Sequence, residues 1–490
     1  MSWIDFLDHT ADLYPFKTAL VEQQSGRRLT YQELNHEVTR LAQLFASNGL
    51  RAGDRLAYLA HNNLEHVTFF LACAKLGALF VPLNFRLSVG EIKEILERIE
   101  PKLFLGRGEW KIDGFEMQNP DDLKMTIDQV QLTEVGLKAP LLMLFTSGST
   151  GTPKGVLFHG EMLKSNQTET CRGWGLKASD VAMVETPFFH TGGYNVLCLP
   201  LLSLGGTVII AEKFDVTNFI ETVQSEKVSV YFGVPTMFQM ISEDSRFNQI
   251  DFSSMRFFIS GGAHCPVELI KTYQAKNLMF KQGFGLTEVG PNCFLLDEGD
   301  AIAKVGSIGQ PMPHTEVLLM KDDGTPAKDN EVGELMLRGP HVTCGYWNEP
   351  ERYRESLLDG FFKTGDLAQR DEEGFYFIAG RIKDMYISGG ENVYPAEVEK
   401  VLRSHPQILE AVVVPVPHQK WGEVGMALLR SEKEMELSEV NHFLGDKLCR
   451  YKQPHFVKQL SQFPLLASGK IDKVLLKEKA HRWMQTGEWV

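Results

Sequence analysis

A chain of 490 residues exceeds what one ordinary core organises and predicts two or three domains. Its 43% apolar and 23% charged residues are the proportions of a water-soluble globular protein with ample core material. The formal net charge of −13 argues against nucleic-acid binding through a basic surface, while a local group of Lys and Arg could still hold phosphates. The 7 cysteines are scattered without a Cys-x-x-Cys pair and read as small buried hydrophobes in a reducing compartment, not as disulfides or a zinc site. The first eight residues lack the basic start and apolar run of a signal peptide. The most apolar stretch, residues 67–85, is interrupted by Lys75, Gly77 and Pro82, so no transmembrane segment is expected and the expected location is the cytoplasm.

Along the chain, Val38, Leu41, Ala42, Leu44 and Phe45 recur at helical spacing, with Gly49 as the end signal. A strand over 55–59, a helix over 64–75 that stops at Gly77 and a strand over 78–83 follow. The apolar run 140–144 reads as a buried strand and leads into Phe145-Thr146-Ser147-Gly148-Ser149-Thr150-Gly151-Thr152-Pro153-Lys154-Gly155. Spaced glycines let this backbone turn tightly and approach a ligand, the hydroxyls and amides suit phosphate oxygens, and Lys154 supplies positive charge. A plain surface loop would not combine all four features. A P-loop would need four residues between the glycines and a hydroxyl after the lysine; here two residues separate Gly148 from Gly151, and Gly155 follows Lys154. Strands over 206–211, 228–232 and 257–260 alternate with helices, which predicts α/β layers with phosphate sites at strand ends.

Further constellations lie beyond. Pro187 to Tyr194 carries an aromatic-His pair, Phe189-His190, and Ser260-Gly261-Gly262-Ala263 follows a strand. In Gln282 to Glu288, Phe284 could stack on a purine, Thr287 could meet a phosphate and Glu288 could hold Mg²⁺, although a glycine-rich turn with a solvated glutamate is the commoner outcome. Strands over 334–338 and 374–378 look antiparallel. Asp366, after Thr364-Gly365, suits ribose hydroxyls as well as it suits a self-capping turn. Taken alone, His190 reads as a core histidine, Arg381 as a surface arginine and Lys470 as a solvated loop tip. From near Lys383 a helix over 395–402, strands over 411–416 and 425–429, a helix over 437–448 and a strand over 455–460 predict a small α+β domain of about 110 residues.

The run from Phe145 to Gly155 matches, without a gap, the signature of the adenylate-forming enzymes: acyl-CoA synthetases, luciferases and nonribosomal-peptide adenylation domains. Further motif matches extend from about residue 30 to about 475. The resemblance implies an α/β fold, with a large N-terminal domain (residues 1–382) of layered α/β subdomains plus a distorted β-barrel-like part. A small mobile α+β C-terminal domain (383–490) would follow. It implies that Thr146, Ser147, Gly148, Ser149, Thr150, Gly151 and Lys154 hold the ATP phosphates, with Phe284 (more often Tyr in the family) and Thr287 beside the nucleotide. Glu288 would hold Mg²⁺, Asp366 the ribose, and Arg381 ribose or phosphate. Lys383 would be the hinge, Ser388, Gly389 and Gly390 would line a thiol tunnel, and Lys470 would be the adenylation lysine.

On the acyl side, Phe189 and His190 would orient the substrate carboxylate. Gly261, Gly262 and Gly285 would leave open space, and Ala263, Tyr194, Phe232, Val234 and Met237 would line the pocket. No arginine is evident beside these positions, which argues against a small dicarboxylate such as malonate. The implied activity is AMP-forming acyl-CoA ligation of a medium- or long-chain fatty acid, with ATP, Mg²⁺ and coenzyme A. Residues 387–399, His405-Pro406 and Lys420 to Glu423 look most like bacterial fatty-acyl ligases. The alternatives are an o-succinylbenzoate or aryl-acid ligase, or an acyl-AMP ligase loading a carrier protein. The expected partners are small molecules, not nucleic acid, and a homodimer is compatible with the sequence.

Overall fold

The computed structural model describes residues 2–125, 134–146, 153–263, 265–297, 299–388, 391–466 and 470–487. The chain divides into two compact units, residues 1–317 with 337–362, and residues 318–336 with 363–490. None of the described helices is long and apolar enough to cross a membrane.

The first unit is built on two sheets. A nine-stranded sheet has a parallel centre in the order Phe280–Leu286, Phe257–Ser260, Val230–Gly233, Val181–Val184, Thr207–Ile210, Thr18–Glu22. Antiparallel strands close both edges, Gly290–Leu295 and then Gln310–Pro311 on one side and Arg28–Thr30 on the other. A five-stranded sheet runs Leu103–Gly106, Arg55–Leu59, Leu79–Pro82, Pro140–Thr146, Lys154–His159, the last strand antiparallel. Covering helices have clear boundaries. Thr30 and Ser88 each form a capping box with the Glu three residues on, and Gly77 ends its helix in the left-handed region at φ +72°.

The second unit contains the antiparallel pairing of residues 366–370 with Tyr376–Arg381. Among the described residues its strands form an open sheet, so the barrel-like part expected from the sequence is not a closed barrel. Its C-terminal region is a separate sheet in which Ile408–His418 pairs with Gly422–Ser431, and Phe456–Gln459 adds in parallel. Both faces of Ile408–His418 are buried. Ala411 and Val413 join a core with Val398 and Leu402 of Pro395–Arg403, while Val412, Val414 and Val416 join Leu476 and Ala480 of Lys473–Thr486. Each such valine contributes roughly 1.5–3 kcal/mol on burial.

Two buried ionisable groups make the first unit sensitive to pH. His66 stacks on Phe188 with its Nδ1 at 2.9 Å from Asn63 Oδ1, and burial pushes its imidazole down from 6.5 to about 3. Glu185 accepts from the Tyr231 hydroxyl at 2.6 Å, and burial raises its carboxyl to about 8. A depressed histidine contributes stability above its unfolded value, and that contribution is lost as pH falls toward the folded value. Between pH 7 and pH 5, His66 should therefore cost about 2 kcal/mol, at about 1.4 kcal/mol per pH unit below 6.5. Denaturant titrations of parent and His66→Gln check this. The stability gap between them should narrow by that amount over the interval, whereas parallel curves would refute it.

Candidate adenylation site

Strand pairing builds the first half of the site. Pro140–Thr146 and Lys154–His159 form an antiparallel hairpin with Thr146 opposite Lys154. The loop between them, with Ser147, Gly148, Ser149, Thr150 and Gly151, lies outside the described residues. A third segment runs beside Lys154–His159. Trp347 N donates to Gly155 O at 2.8 Å, Leu157 N donates to Gly345 O at 3.0 Å, and Val156 bridges Tyr346. A side chain at Gly155 would meet Met143 Sδ at 2.7 Å and Trp347 Cβ at 3.1 Å, so only glycine lets the strands approach this closely.

The Gln282 to Glu288 motif ends the strand Phe280–Leu286 and turns into Gly290–Leu295. Phe284 is paired with Phe294 in register, their rings edge to face at 5.7 Å, and Thr287 and Glu288 lie half-buried in the turn. Gly285 corrects its expected role. A Cβ there would meet Gly290 O at 2.2 Å, so this glycine permits backbone approach inside the hairpin and does not open a pocket wall. Thr343 N donates to Glu288 O at 2.7 Å, and the buried His341 places Nδ1 2.7 Å from Val289 O.

Tyr346, which the sequence reading missed, joins the two halves. Its hydroxyl lies 3.2 Å from Glu288 Oε1 and 3.4 Å from Lys154 Nζ, and the Lys154 ammonium stands 4.8 Å from its ring centroid. The hairpin and the turn thus bring a cation and a carboxylate to one tyrosine. No cluster of three or more His, Cys, Asp or Glu suited to a metal occurs among the described residues. A single carboxylate fits Mg²⁺, which is commonly held by one or two carboxylates plus substrate phosphates and water.

The acyl-side residues are placed unevenly. Phe189 is buried, with its ring 4.6 Å from that of His190 and 5.5 Å from that of Phe85. Asn62, another residue the sequence did not reveal, fixes this segment: its Nδ2 donates to Thr186 O at 3.0 Å and its Oδ1 accepts from Phe188 N at 3.1 Å. A single turn of π-helix, Gly192–Val196, follows. Tyr194, expected to line a pocket, is fully enclosed instead. Its hydroxyl donates to His66 O at 3.0 Å, and its ring packs on Phe70 and Phe188.

Phe232 is half-buried, and its ring fills the space beside two glycines. Side chains at Gly192 and Gly261 would meet it at 3.0 and 3.1 Å, so Gly261 does not face open space as expected. Gly262, with φ +78°, and Ala263 are exposed, Val234 precedes the helix Pro235–Glu243, and Met237 belongs to the core behind it. The expectation of no arginine here is also corrected. The Arg86 guanidinium lies 5.5 Å from the Phe85 ring and 5.9 Å from the Phe189 ring.

Within the second unit, Asp366, Arg381 and Lys470 come together. Asp366 is opposite Arg381 across the hairpin and accepts from Arg381 Nε at 2.7 Å. Thr364 Oγ1 donates to Leu335 O at 2.6 Å and accepts from Asp366 N at 3.1 Å, while Gly365 takes φ +72°. Burial raises the Asp366 carboxyl above its usual range, with Arg381 and Lys470 opposing that shift. The Lys470 ammonium is lowered by desolvation and by Arg381, and raised by Asp366. Lys383 is exposed in the turn after Arg381, and Ser388 is buried and paired with Gly422. Gly389 and Gly390 lie outside the described residues.

This fold is that of the adenylate-forming enzymes. Residues 7–347 match the model of the AMP-binding enzyme family, and residues 397–470 match the model of the AMP-binding enzyme C-terminal domain. The chain belongs to the AMP-binding enzyme family. It is 38% identical to a feruloyl-CoA synthase of Amycolatopsis sp, over 94% of this chain and 96% of that one. It is 33% identical to the long-chain-fatty-acid–CoA ligase FadD13 of Mycobacterium tuberculosis, over 96% and 97%. Among solved structures it is similar to o-succinylbenzoate CoA synthetase (MenE) of Bacillus subtilis at 30% identity. The complex with the acyl-adenylate intermediate gives a TM-score of 0.86 over 96% of this chain and 97% of that one. The complex with ATP and magnesium gives 0.85 over 96% and 99%.

Proposed function

We propose that this protein is a cytoplasmic AMP-forming acyl-CoA ligase acting on a medium- or long-chain fatty acid, with ATP, Mg²⁺ and coenzyme A. The observation that carries the reading is the meeting of Lys154 and Glu288 at Tyr346, a cation for phosphates beside a hard oxygen ligand for the metal. A free carboxylate acylates poorly because its leaving group would be oxide. Attack of its oxygen on the α-phosphorus of ATP expels pyrophosphate and leaves an acyl-adenylate, whose leaving group is AMP.

Two anions must approach for that step, so the protein's contribution is charge and position. Lys154 is assigned to the β- and γ-phosphates, Asp366 to the ribose, Arg381 to ribose or phosphate, and Lys470 to the carboxylate and α-phosphate. Phe189 and His190 are assigned to orienting the acid. Mg²⁺ bound at Glu288 supplies further neutralisation of phosphate charge. The thiol of coenzyme A then displaces AMP from the acyl carbon. We assign residues 383–490 as a mobile domain that turns about Lys383 between the two steps.

Phe232 and Val234, both half-buried, offer an apolar surface to an alkyl chain. One observation favours a second reading: the half-buried Phe232 ring, which side chains at Gly192 and Gly261 would press against, offers an aromatic wall to an aryl acid. A panel of acids in a pyrophosphate-release assay decides. Medium and long alkyl acids should be turned over fastest, and rejection of every alkyl chain in favour of aryl acids would reverse the assignment.

A further inference from the structure

We propose that Tyr346 is a positioning residue of the adenylation site, its phenol held between the Lys154 ammonium and the Glu288 carboxylate so that neither spends its charge on the other. The inference rests on the reading of Lys154 as the phosphate cation and Glu288 as the metal ligand. One hydroxyl both accepts and donates, and the distances of 3.4 Å to Lys154 Nζ and 3.2 Å to Glu288 Oε1 suit an acceptor role toward the first and a donor role toward the second.

The ring is fixed, not merely nearby. Tyr346 is 5% exposed, Tyr353 packs edge-on against it at 6.0 Å, and its backbone bridges Val156. The Tyr353 hydroxyl donates to Thr343 O at 2.6 Å, and Thr343 N holds Glu288 O at 2.7 Å. One segment thus grips the glutamate by its main chain and by its carboxylate, while the face of the same ring carries the Lys154 cation. Opposite charges in a half-buried site attract strongly, and a closed Lys–Glu pair would have to be broken before nucleotide entered. Two hydrogen bonds to a neutral phenol place both groups and are exchanged for phosphate and metal at lower cost.

Tyr346→Phe keeps the ring and removes the hydroxyl, and Tyr31→Phe, which loses the buried bond from the Tyr31 hydroxyl to Gly206 O at 2.7 Å, is the structural control. Calorimetric titration of the full chain with ATP, with and without magnesium, is paired with thermal unfolding of each variant. Tyr346→Phe should bind ATP about tenfold more weakly, as loss of a hydrogen bond to a charged group implies, with an unchanged melting temperature. Its KM for ATP should rise by the same factor with kcat nearly preserved. Tyr31→Phe should melt earlier yet bind ATP as the parent does. Parent-like ATP binding by Tyr346→Phe, or affinity lost only in step with melting temperature in both variants, would overturn the proposal. A parent chain that bound no ATP would instead overturn the assignment of Lys154 and Glu288.

Discussion

Lys470→Ala should lose at least about a hundredfold of its rate of pyrophosphate release from acid and ATP, the scale seen when one donor to a developing charge is removed. The same variant, supplied with preformed acyl-adenylate and coenzyme A, should make thioester at close to the parent rate. The asymmetry follows from chemistry. The first half-reaction joins two anions and needs the ammonium, whereas a thiol attacking a carbonyl whose leaving group is AMP does not. Lys470 stands with Asp366 and Arg381 in the second unit, where Asp366 opposes the lowering of its ammonium by burial and by Arg381. Lys383→Pro should give the opposite split, with adenylation kept and thioester formation slowed, since proline fixes φ at the turn assigned as the hinge. Rapid-quench measurement of the two half-reactions checks both variants. Equal loss of both steps in Lys470→Ala would remove that residue from its role.

Glu288→Gln should lower adenylation by about 10² to 10³-fold and raise the magnesium concentration needed for half-maximal rate. The substitution keeps size and hydrogen bonding but removes the negative charge. Its main-chain anchor, Thr343 N on Glu288 O, does not depend on the side chain, so the turn should keep its shape. Because the described residues include no other acidic or histidine cluster suited to a metal, no neighbouring ligand set is available to compensate. Pyrophosphate formation measured across a magnesium series checks this, and an unchanged magnesium requirement would contradict the assignment.

What the sequence made legible was local. The strand Pro140–Thr146 before the glycine-rich run and the strand Phe257–Ser260 follow directly from apolar runs bounded by glycine and polar residues. Ile408–His418 was visible as a strand because helices bury both of its faces, which leaves a continuous apolar run. The helix Lys473–Thr486 went unseen because only Leu476 and Ala480 are fully buried on it, too sparse a stripe to set a period. Gly160–Gly173 hides its nature in another way: Ser165, Asn166, Gln167, Glu169 and Thr170 are all buried polar residues, so polarity there does not mark the solvent face.

Residues brought in from a distance escaped entirely. Asn62 acts on a segment about 125 positions later, Tyr346 acts on Glu288 and Lys154, and Arg86 reaches Phe189; nothing in the spacing of any of them announces a partner. Glycines were read for the wrong freedom at Gly285 and Gly261, since a missing side chain serves backbone approach or a neighbouring ring as readily as it serves a ligand. Sheet closure was likewise beyond reach, because it depends on register between strands and not on the pattern within one.

Oxygen tracing tests the account most directly. An acid carrying heavy oxygen in its carboxylate, incubated with the protein, ATP, magnesium and coenzyme A, should deliver one labelled oxygen to AMP, because the carboxylate oxygen that attacks the α-phosphorus remains on it when the thiol takes the acyl group. Mass spectrometry of the nucleotide and phosphate products reads the outcome. Heavy AMP with unlabelled pyrophosphate is the predicted result; unlabelled AMP, or label emerging in inorganic phosphate beside ADP, would contradict adenylation as the way this protein activates its acid.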